Sequence, residues 1–567
     1  MTALPRRLLL ATTTTILVQT FSWTTLTTRS VGCRYSTIIR RPSSSWQWRP
    51  TSDISMSDSS QTNHNHNHDH HFTVCPTCHG EGKLTKPPSQ KARRNFKRLK
   101  SDNEGIFVAP PPPRIEPCGT CQRTGIVLPS TNTTTATATH KTTDTTPIMP
   151  HVAIIGGGLG GLALGVACSH RSIPFSIYER DEHFFQRSQG YGLTMQQATK
   201  ALGSLGISEL QEGLTSTKHM VHTPDGTVVG EWGLRKWGRD ETKAPPKRQN
   251  VHIARQALRH ELLQALGSSY QECVKWNHKL VNYTKANENG RMDLIFQVGT
   301  SDQEVHHQAD LIVGADGIRS TVRQKLVGDD QTPLRYLDCL VVLGICALDR
   351  LDETTRQHVL LDGETVFQTA DGSTRIYLMP YSSTQYMWQL SFPMENESEC
   401  QEISRQGPCA LKAQALAKCS TWHAPIPQLL QETPTELISG YPVYDRDLLT
   451  LDMLSGDNNE LVTLLGDAAH PMSPFKGQGA NQALLDALSL ARTLYRTCRR
   501  PGTVSEALQV YQEEMMARSA TKVQASAQAA QFLHTEVAIQ KGNVTRGAAA
   551  ATRETPNTVE MKNEDLK

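Results

Sequence analysis

Residues 152–167 constrain the chain most. Val152-Ala153-Ile154-Ile155 is a short apolar run, Gly156-Gly157-Gly158-Leu159-Gly160-Gly161 follows it, and Leu162 to Ala167 has the composition of a helix. Strand, tight turn and helix in that order open a dinucleotide-binding βαβ unit. Gly156 permits the turn, Gly158 lets the backbone approach a pyrophosphate, and Gly161 lets helix and strand pack closely, with the helix N-terminus facing the anion. A second strand, Phe175-Ser176-Ile177-Tyr178, delivers Glu179 where a carboxylate can accept hydrogen bonds from ribose hydroxyls, with Arg180 beside it. The alternative is a merely structural βαβ turn; the correctly spaced acid favours the dinucleotide.

Two distant segments repeat the strand-then-turn character. One is Asp310-Leu-Ile-Val-Gly-Ala-Asp316-Gly317-Ile-Arg-Ser320-Thr-Val-Arg323, the other Gly466-Asp467-Ala-Ala-His470 followed by Pro474-Phe-Lys-Gly477-Gln478-Gly479-Ala480-Asn481. With these three segments in this order, the chain resembles the class A single-component flavoprotein monooxygenases, the aromatic hydroxylases of the para-hydroxybenzoate and salicylate hydroxylase kind, over about residues 150 to 530. The resemblance implies an α/β fold: a Rossmann-like FAD-binding domain, discontinuous over about 150–230, 250–330 and 440–500, with an inserted mixed β-sheet substrate domain. Asp316 and Gly317 would hold the pyrophosphate side of FAD and take part in docking NAD(P)H. Gly466 precedes Asp467, which would bind the ribityl hydroxyls, while Pro474, Gly477, Gly479, Ala480 and Asn481 would face the isoalloxazine. Arg255 and Arg187 match two cofactor-contacting arginines of the family, although either in isolation reads as a solvated surface charge.

Those residue types have a physical rationale. Reduced flavin is anionic around N1 and O2, and the backbone N–H groups of a glycine-rich helix start stabilise that charge without a titrating side chain. The family's chemistry belongs to the cofactor: NAD(P)H reduces FAD, O2 adds at C4a, and the hydroperoxide gives one oxygen atom to an electron-rich substrate. No side chain is assigned a catalytic role beyond Pro474 near the flavin, and His470 reads as structural. The same motifs also suit an epoxidase, a dehydrogenase or reductase, or a flavin-binding scaffold, because they fix the cofactor and not the oxygen chemistry.

Substrate contacts are expected from about 331 to 440, where Val341–Ala347, Thr374–Met379 and Gln385–Phe392 read as strands. In the last, Tyr386, Trp388, Leu390 and Phe392 share one face and Gln385, Met387, Gln389 and Ser391 the other. One face roofs the flavin and the other meets helices or solvent; the sequence leaves open which. Tyr444-Asp445-Arg446 is assigned to domain packing.

The amino-terminal quarter has another character. Residues 1–52 hold seven arginines, no lysine and no acid, a targeting-presequence composition compatible with plastid or mitochondrion. Leu8 to Phe21 is too short and too threonine-rich to span a bilayer. Removing those seven charges from 58 leaves 51 basic against 55 acidic residues, so nothing suggests a general polyanion binder. A His/Asn-rich tract over 53–72 precedes a module over 73–127 that contains Cys75-Pro-Thr-Cys78-His-Gly80-Glu-Gly82 and Cys118-Gly-Thr-Cys121-Gln-Arg123-Thr-Gly125. Two such pairs can close a tetrahedral four-cysteine zinc site; a redox dithiol or unrelated cysteines are the alternatives. The first pair resembles the CxxCxGxG repeat in the cysteine-rich region of J-domain co-chaperones, and the second does so loosely because Arg123 replaces a glycine. A segment this small needs a staple to fold, and the module is expected to contact a protein partner if it contacts any. Between the pairs, Lys91–Lys100 reads as a solvated basic loop, with a nucleic-acid or acidic-partner contact as the other reading. A threonine-rich linker (128–150) leads into the flavin region (151–535), and 536–567 reads as a disordered tail. The eight remaining cysteines beyond the linker show no pairing pattern and read as reduced.

Overall fold

The computed structural model describes residues 72–102, 108–129, 149–186, 190–233, 250–268, 270–285, 289–299, 303–455 and 460–541. The presequence, the His/Asn tract up to residue 71, Arg187, most of the threonine-rich linker and the tail beyond 541 lie outside them.

The flavin region is built on a five-stranded parallel sheet in the order Val274–Lys275, Phe175–Tyr178, Val152–Ile155, Leu311–Gly314, Val462–Leu464. The three inner strands are almost wholly apolar because both faces are covered, as parallel sheets require. Register is what brings the motifs together. Ile155 lies opposite Tyr178 and Gly314, and Gly314 opposite Leu464. Gly156, Glu179, Asp316 and Asp467 therefore all leave the sheet at its carboxyl edge, where α/β sheets bind ligands.

The helix Leu159–Ser169 packs between the sheet and the helices Arg255–Gln264 and Gly479–Cys498, which is why it is apolar nearly all round. A Cβ on Gly161 would stand 1.9 Å from the Gly156 carbonyl oxygen, so only glycine allows this helix to sit so close to its own turn. The antiparallel strands His278–Lys285, Met292–Val298 and Glu304–Ala309 form a separate three-stranded sheet. The long helix Val504–Phe532 starts at a Thr503/Glu506 capping box, and its Tyr511 hydroxyl donates to the Leu464 carbonyl at 2.9 Å.

The second domain is a seven-stranded mixed sheet: Val228–Trp232, Lys218–His222, Thr365–Ala370, Arg375–Ser382, Gln385–Pro393, Arg335–Ala347, Ile438–Asp445. All three expected strands are present in it. Its edge pair, however, comes from 218–232, a stretch that the sequence reading left with the FAD domain. Lys218–His222 runs parallel to Thr365–Ala370, a long-range pairing that no local pattern announces. The faces of Gln385–Pro393 are now assigned. Tyr386, Trp388, Leu390 and Phe392 pack in the core shared with the helices Glu397–Gln406, Pro408–Cys419 and Ile426–Glu432, whereas Met387 and Gln389 line a cavity beside the FAD domain. Gly344 makes room for Trp388, whose ring would lie 2.3 Å from any Cβ there, and the indole N–H donates to Thr433 Oγ1 at 2.8 Å.

The amino-terminal module consists of two short antiparallel ribbons, Thr73–Val74 with Ile126–Val127 and Lys83–Lys86 with Arg114–Pro117. The basic run expected as a loop is a helix, Gln90–Asp102, with no buried residue. Alanine, leucine, lysine and arginine are good helix formers, the stretch lacks glycine and proline, and Ser89 Oγ accepts the Ala92 N–H at the start. No helix among the described residues is long and apolar enough to cross a membrane.

Candidate functional site

Two cavities meet at Arg255. The smaller, about 180 Å³, lies along the carboxyl edge of the parallel sheet, lined by Gly156, Gly158, Glu179, Arg180, Arg255, Asp316 and Gly317 among others. Gly156 has φ +111°, and a Cβ on it would meet the Ala315 carbonyl oxygen at 2.5 Å. Gly158 is different: its φ is ordinary, and a Cβ there would meet nothing within 4 Å. That open space over a helix N-terminus is the room a pyrophosphate needs. Glu179 is buried, and its carboxylate accepts the Gly157 N–H at 2.7 Å and the Asp181 N–H at 3.0 Å. A carboxylate with about four acceptor positions still has capacity for ribose hydroxyls. Arg259 backs this turn, donating from Nε to the Gly157 carbonyl at 2.8 Å.

Asp316 lines the same groove, yet its carboxylate is engaged in starting the helix Thr321–Val327. It accepts the Ser320 hydroxyl at 2.5 Å and the Thr321 and Val322 N–H groups at 2.7 and 3.3 Å. Burial raises its pKa. What this turn offers a cofactor is therefore mainly backbone, with Gly317 at φ +84° and open space above it.

The larger cavity, about 410 Å³, has one wall made by Asp467, Pro474, Gly477, Gly479, Ala480 and Asn481 and the opposite wall made by Arg375, Tyr377, Met379, Met387 and Gln389 of the seven-stranded sheet. Gly477 takes a left-handed conformation that ends the turn and releases the chain into the helix from Gly479, whose first N–H groups have no partner within the helix. Arg255 Nη1 donates to the Tyr191 hydroxyl at 3.2 Å, and its guanidinium stands 5.5 Å from that ring's centre. Tyr191, opposing burial, and Asp467 together raise its already high pKa, so Arg255 is a permanent cation at the junction.

Asn481 is one of the predicted cofactor residues, and its side chain is fully occupied by the protein. Oδ1 accepts the Gln196 and Ala198 N–H groups at 2.9 and 3.2 Å, and Nδ2 donates to the Thr194 and Gly477 carbonyls at 3.0 Å each. It shapes the turn that lines the larger cavity, and its amide has no bonding position left over.

Several supporting residues went unremarked in the sequence. Arg323 is buried and donates to the carbonyls of Ala468 and Ala469 at 3.0 and 2.8 Å and to Thr332 Oγ1, strapping the second motif to the third. Asp486 accepts the Gly466 N–H at 2.8 Å and pairs with His470 at 2.7 Å and Arg518 at 2.8 Å. Burial opposes its charge, but His470 and Arg518 overcome it and hold its pKa low. His470 is thus placed at the back of the turn, away from the lining of the larger cavity. The available signal for Asp486 was an acid on the apolar face of a helix.

On the sheet wall, Arg375 is buried, donates from Nε to Gln368 Oε1 at 2.9 Å, and lies 5.3 Å from the centre of the Tyr377 ring. Around it Met379, Met387 and Phe475 supply apolar surface.

The four predicted metal ligands come together as well. The Sγ atoms of Cys75, Cys78, Cys118 and Cys121 lie within 4.8 Å of one another, with Cys75–Cys118 at 3.8 Å and Cys78–Cys121 at 3.6 Å. Sulfurs about 2.3 Å from a tetrahedral zinc ion stand about 3.8 Å apart, whereas a disulfide needs about 2.05 Å. The Gly82 and Gly125 N–H groups each donate to a sulfur, Cys78 and Cys121 respectively, at 3.2 Å. Both glycines have positive φ, and a Cβ on either would strike a carbonyl oxygen at 2.2–2.3 Å.

The sequence profile of the FAD binding domain family matches residues 149–526. The aurachin C monooxygenase/isomerase of Stigmatella aurantiaca is 30% identical over 363 residues, covering 62% of this chain and 83% of that protein. The 3-amino-4-hydroxybenzoate 2-monooxygenase PtmB3 of Streptomyces platensis is 28% identical over 378 residues, covering 65% of this chain and 85% of that protein. Among solved structures, Klebsiella pneumoniae HpxO complexed with FAD and uric acid shares the fold, with a TM-score of 0.55 at 20% identity, over 68% of this chain and 88% of that one.

Proposed function

From the premise that this chain belongs to the FAD binding domain family and is an oxidoreductase of the FAD-dependent monooxygenase kind, we propose that it uses NAD(P)H and O2 to hydroxylate a small aromatic or other electron-rich molecule. The observation that carries this reading is the 410 Å³ cavity bounded on one side by the Pro474–Asn481 turn and on the other by the sheet residues Arg375, Tyr377, Met379, Met387 and Gln389. A cavity of that size accommodates a flavin ring edge together with a small ring-shaped substrate.

FAD, when bound, supplies the redox chemistry, accepting electrons from the nicotinamide and delivering oxygen to the substrate. The chain's own residues do the rest. Gly156, Gly158 and Glu179 would hold the nucleotide end, and Arg255 and Asp467 the middle. The first N–H groups of Gly479–Cys498, which have no partner within the helix, would stabilise negative charge on the reduced flavin. Met379, Met387 and Phe475 exclude water, and Arg375 orients an acidic or electron-rich polar group on the substrate. The relative that acts on 3-amino-4-hydroxybenzoate supports an aromatic ring in that place.

The four cysteines are proposed to hold one structural zinc ion, supported by the sulfur spacing and the two N–H to sulfur bonds.

The test is anaerobic mixing of the FAD-loaded protein with NADH or NADPH, followed by turnover under isotopically labelled O2 with an aromatic substrate panel. Nucleotide-driven bleaching of the flavin and one labelled oxygen atom in the product support the proposal, and the product's structure separates hydroxylation from epoxidation. Flavin that neither nucleotide reduces, with or without candidate substrates, would sink it in favour of a dehydrogenase or scaffold.

A further inference from the structure

Resting on the reading of the four cysteines as a zinc site, we propose that the amino-terminal module is an intramolecular clamp on the flavin domain, and that its metal occupancy sets how tightly FAD is held. The connecting member is the helix Gly479–Cys498. Its first turn borders the flavin cavity, and there Asn481 holds the backbone of Thr194, Gln196 and Ala198. Roughly 16 Å along the same helix, Arg492 donates from Nε to the Gly80 carbonyl at 3.1 Å, and from Nη2 to the Thr124 carbonyl at 3.4 Å and Ser204 Oγ at 3.2 Å.

Gly80 and Thr124 belong to the two cysteine turns, 78–82 and 121–125, whose N–H groups point at the sulfurs. Ser204 ends the short helix Thr199–Ser204, which continues directly from the segment that Asn481 holds. Residues 194–204 are therefore gripped at both ends by one helix, and at the far end the grip is shared with the metal module. Arg496 adds an ion pair to Glu81 at 3.2 Å, and Phe72 packs edge-on to His170 at 5.5 Å. A Cβ on Gly206 would stand 2.7 Å from the Phe72 ring, so the module also fills the space over this loop.

Removing the metal frees the two turns and takes both carbonyl acceptors from Arg492. A side chain that joins three elements then loses the partners that fix it, and residues 194–204 loosen beside the flavin cavity, where Thr194 is a lining residue. The module thereby becomes part of the enzyme's own scaffold, in place of a tethered recruiting device.

The experiment uses the full-length, FAD-loaded protein. Metal content is measured by atomic absorption, FAD affinity by flavin fluorescence before and after a strong chelator, and hydrogen exchange over 194–204 by mass spectrometry. We expect one zinc per chain, FAD affinity at least about fivefold weaker after chelation, faster exchange over 194–204, and recovery when zinc is restored. Arg492→Gln should keep its zinc and lose the dependence of FAD affinity on it. The wild-type chelation series needs no variant, so the proposal is decided even if Arg492→Gln does not fold. Stoichiometric zinc whose removal leaves FAD affinity and exchange unchanged overturns the clamp and leaves the metal site standing. Protein that binds no metal overturns both.

Discussion

The side-chain amide of Asn481 donates to the Thr194 carbonyl oxygen at 3.0 Å, across 287 positions of sequence. It joins the first turn of the helix Gly479–Cys498 to the strand Gly192–Met195, and both line the larger cavity. With its other three bonds to backbone groups, the amide has no free capacity, and the turn's geometry depends on it. Asn481→Ala leaves two N–H and two carbonyl groups without these partners. Thermal unfolding of the variant should show a loss of about 2–4 kcal/mol, with substoichiometric flavin in the purified protein.

Gly158 and Gly161 make opposite demands although they lie in one motif. The space over Gly158 is open, so Gly158→Ala should give an apoprotein with wild-type circular dichroism and melting temperature but FAD affinity reduced tenfold or more, about 1.4 kcal/mol. A Cβ at 161 would overlap the Gly156 carbonyl oxygen. Gly161→Ala should fail at folding itself, seen as loss of soluble protein. If the two variants behaved alike, the pyrophosphate position would be wrong.

Arg323 ties the second motif to the third through the carbonyls of Ala468 and Ala469. Arg323→Met matches its length and apolar stem and leaves those buried carbonyls without this donor. Denaturant unfolding should register about 3 kcal/mol of destabilisation, and a silent variant would remove the strap from the account of how Gly466 and Asp467 are positioned.

Three buried histidines predict an acid-sensitive fold. Burial lowers His534 from 6.5 to about 4, against the hydrogen bond to Ala530, and burial likewise lowers His170 and His222 to about 4, helped by Arg171 and by His423 respectively. Between those values the unfolded chain binds more protons than the folded one, so stability falls as pH drops from about 6.5 towards 4 and is fully present above that window. Each group contributes at most about 1.4 kcal/mol per pH unit. His534→Gln should show a shallower slope of unfolding free energy across this window, measured by denaturant titration at several pH values.

Arg375 is a buried cation on the sheet wall of the larger cavity. Arg375→Gln should raise KM for aromatic substrates bearing a carboxylate or acidic phenol roughly 10- to 150-fold, the loss of a charged hydrogen bond, with a smaller effect on neutral analogues. Equal effects on both classes would mean that Arg375 holds the sheet and not the substrate.

Legibility in the sequence followed the range of the interaction. The glycine turn with Glu179, the helix starting at Gly479 and the paired cysteines are local arrangements, and each was readable because its chemistry needs particular residues within a few positions. The basic stretch from Lys91 shows the limit of charge as a guide: its helix propensity, also local, was the better signal. The roles of Asn481, Arg323 and Asp486 were not readable, because their partners are tens to hundreds of residues away and a polar side chain does not declare which backbone it will satisfy.

By itself, the sequence determined the dinucleotide-binding turn, the order of the three motifs and the two cysteine pairs, since backbone clearance, helix-start charge and cysteine spacing are written in short motifs. Only the tertiary structure decided that Lys218–His222 and Val228–Trp232 complete the seven-stranded sheet, that Met387 and Gln389 face the cavity while Trp388 faces helices, and that the cysteine module lies against Arg492. Those outcomes depend on long-range strand register and on which buried polar groups find one another, and both are fixed when the chain closes on itself.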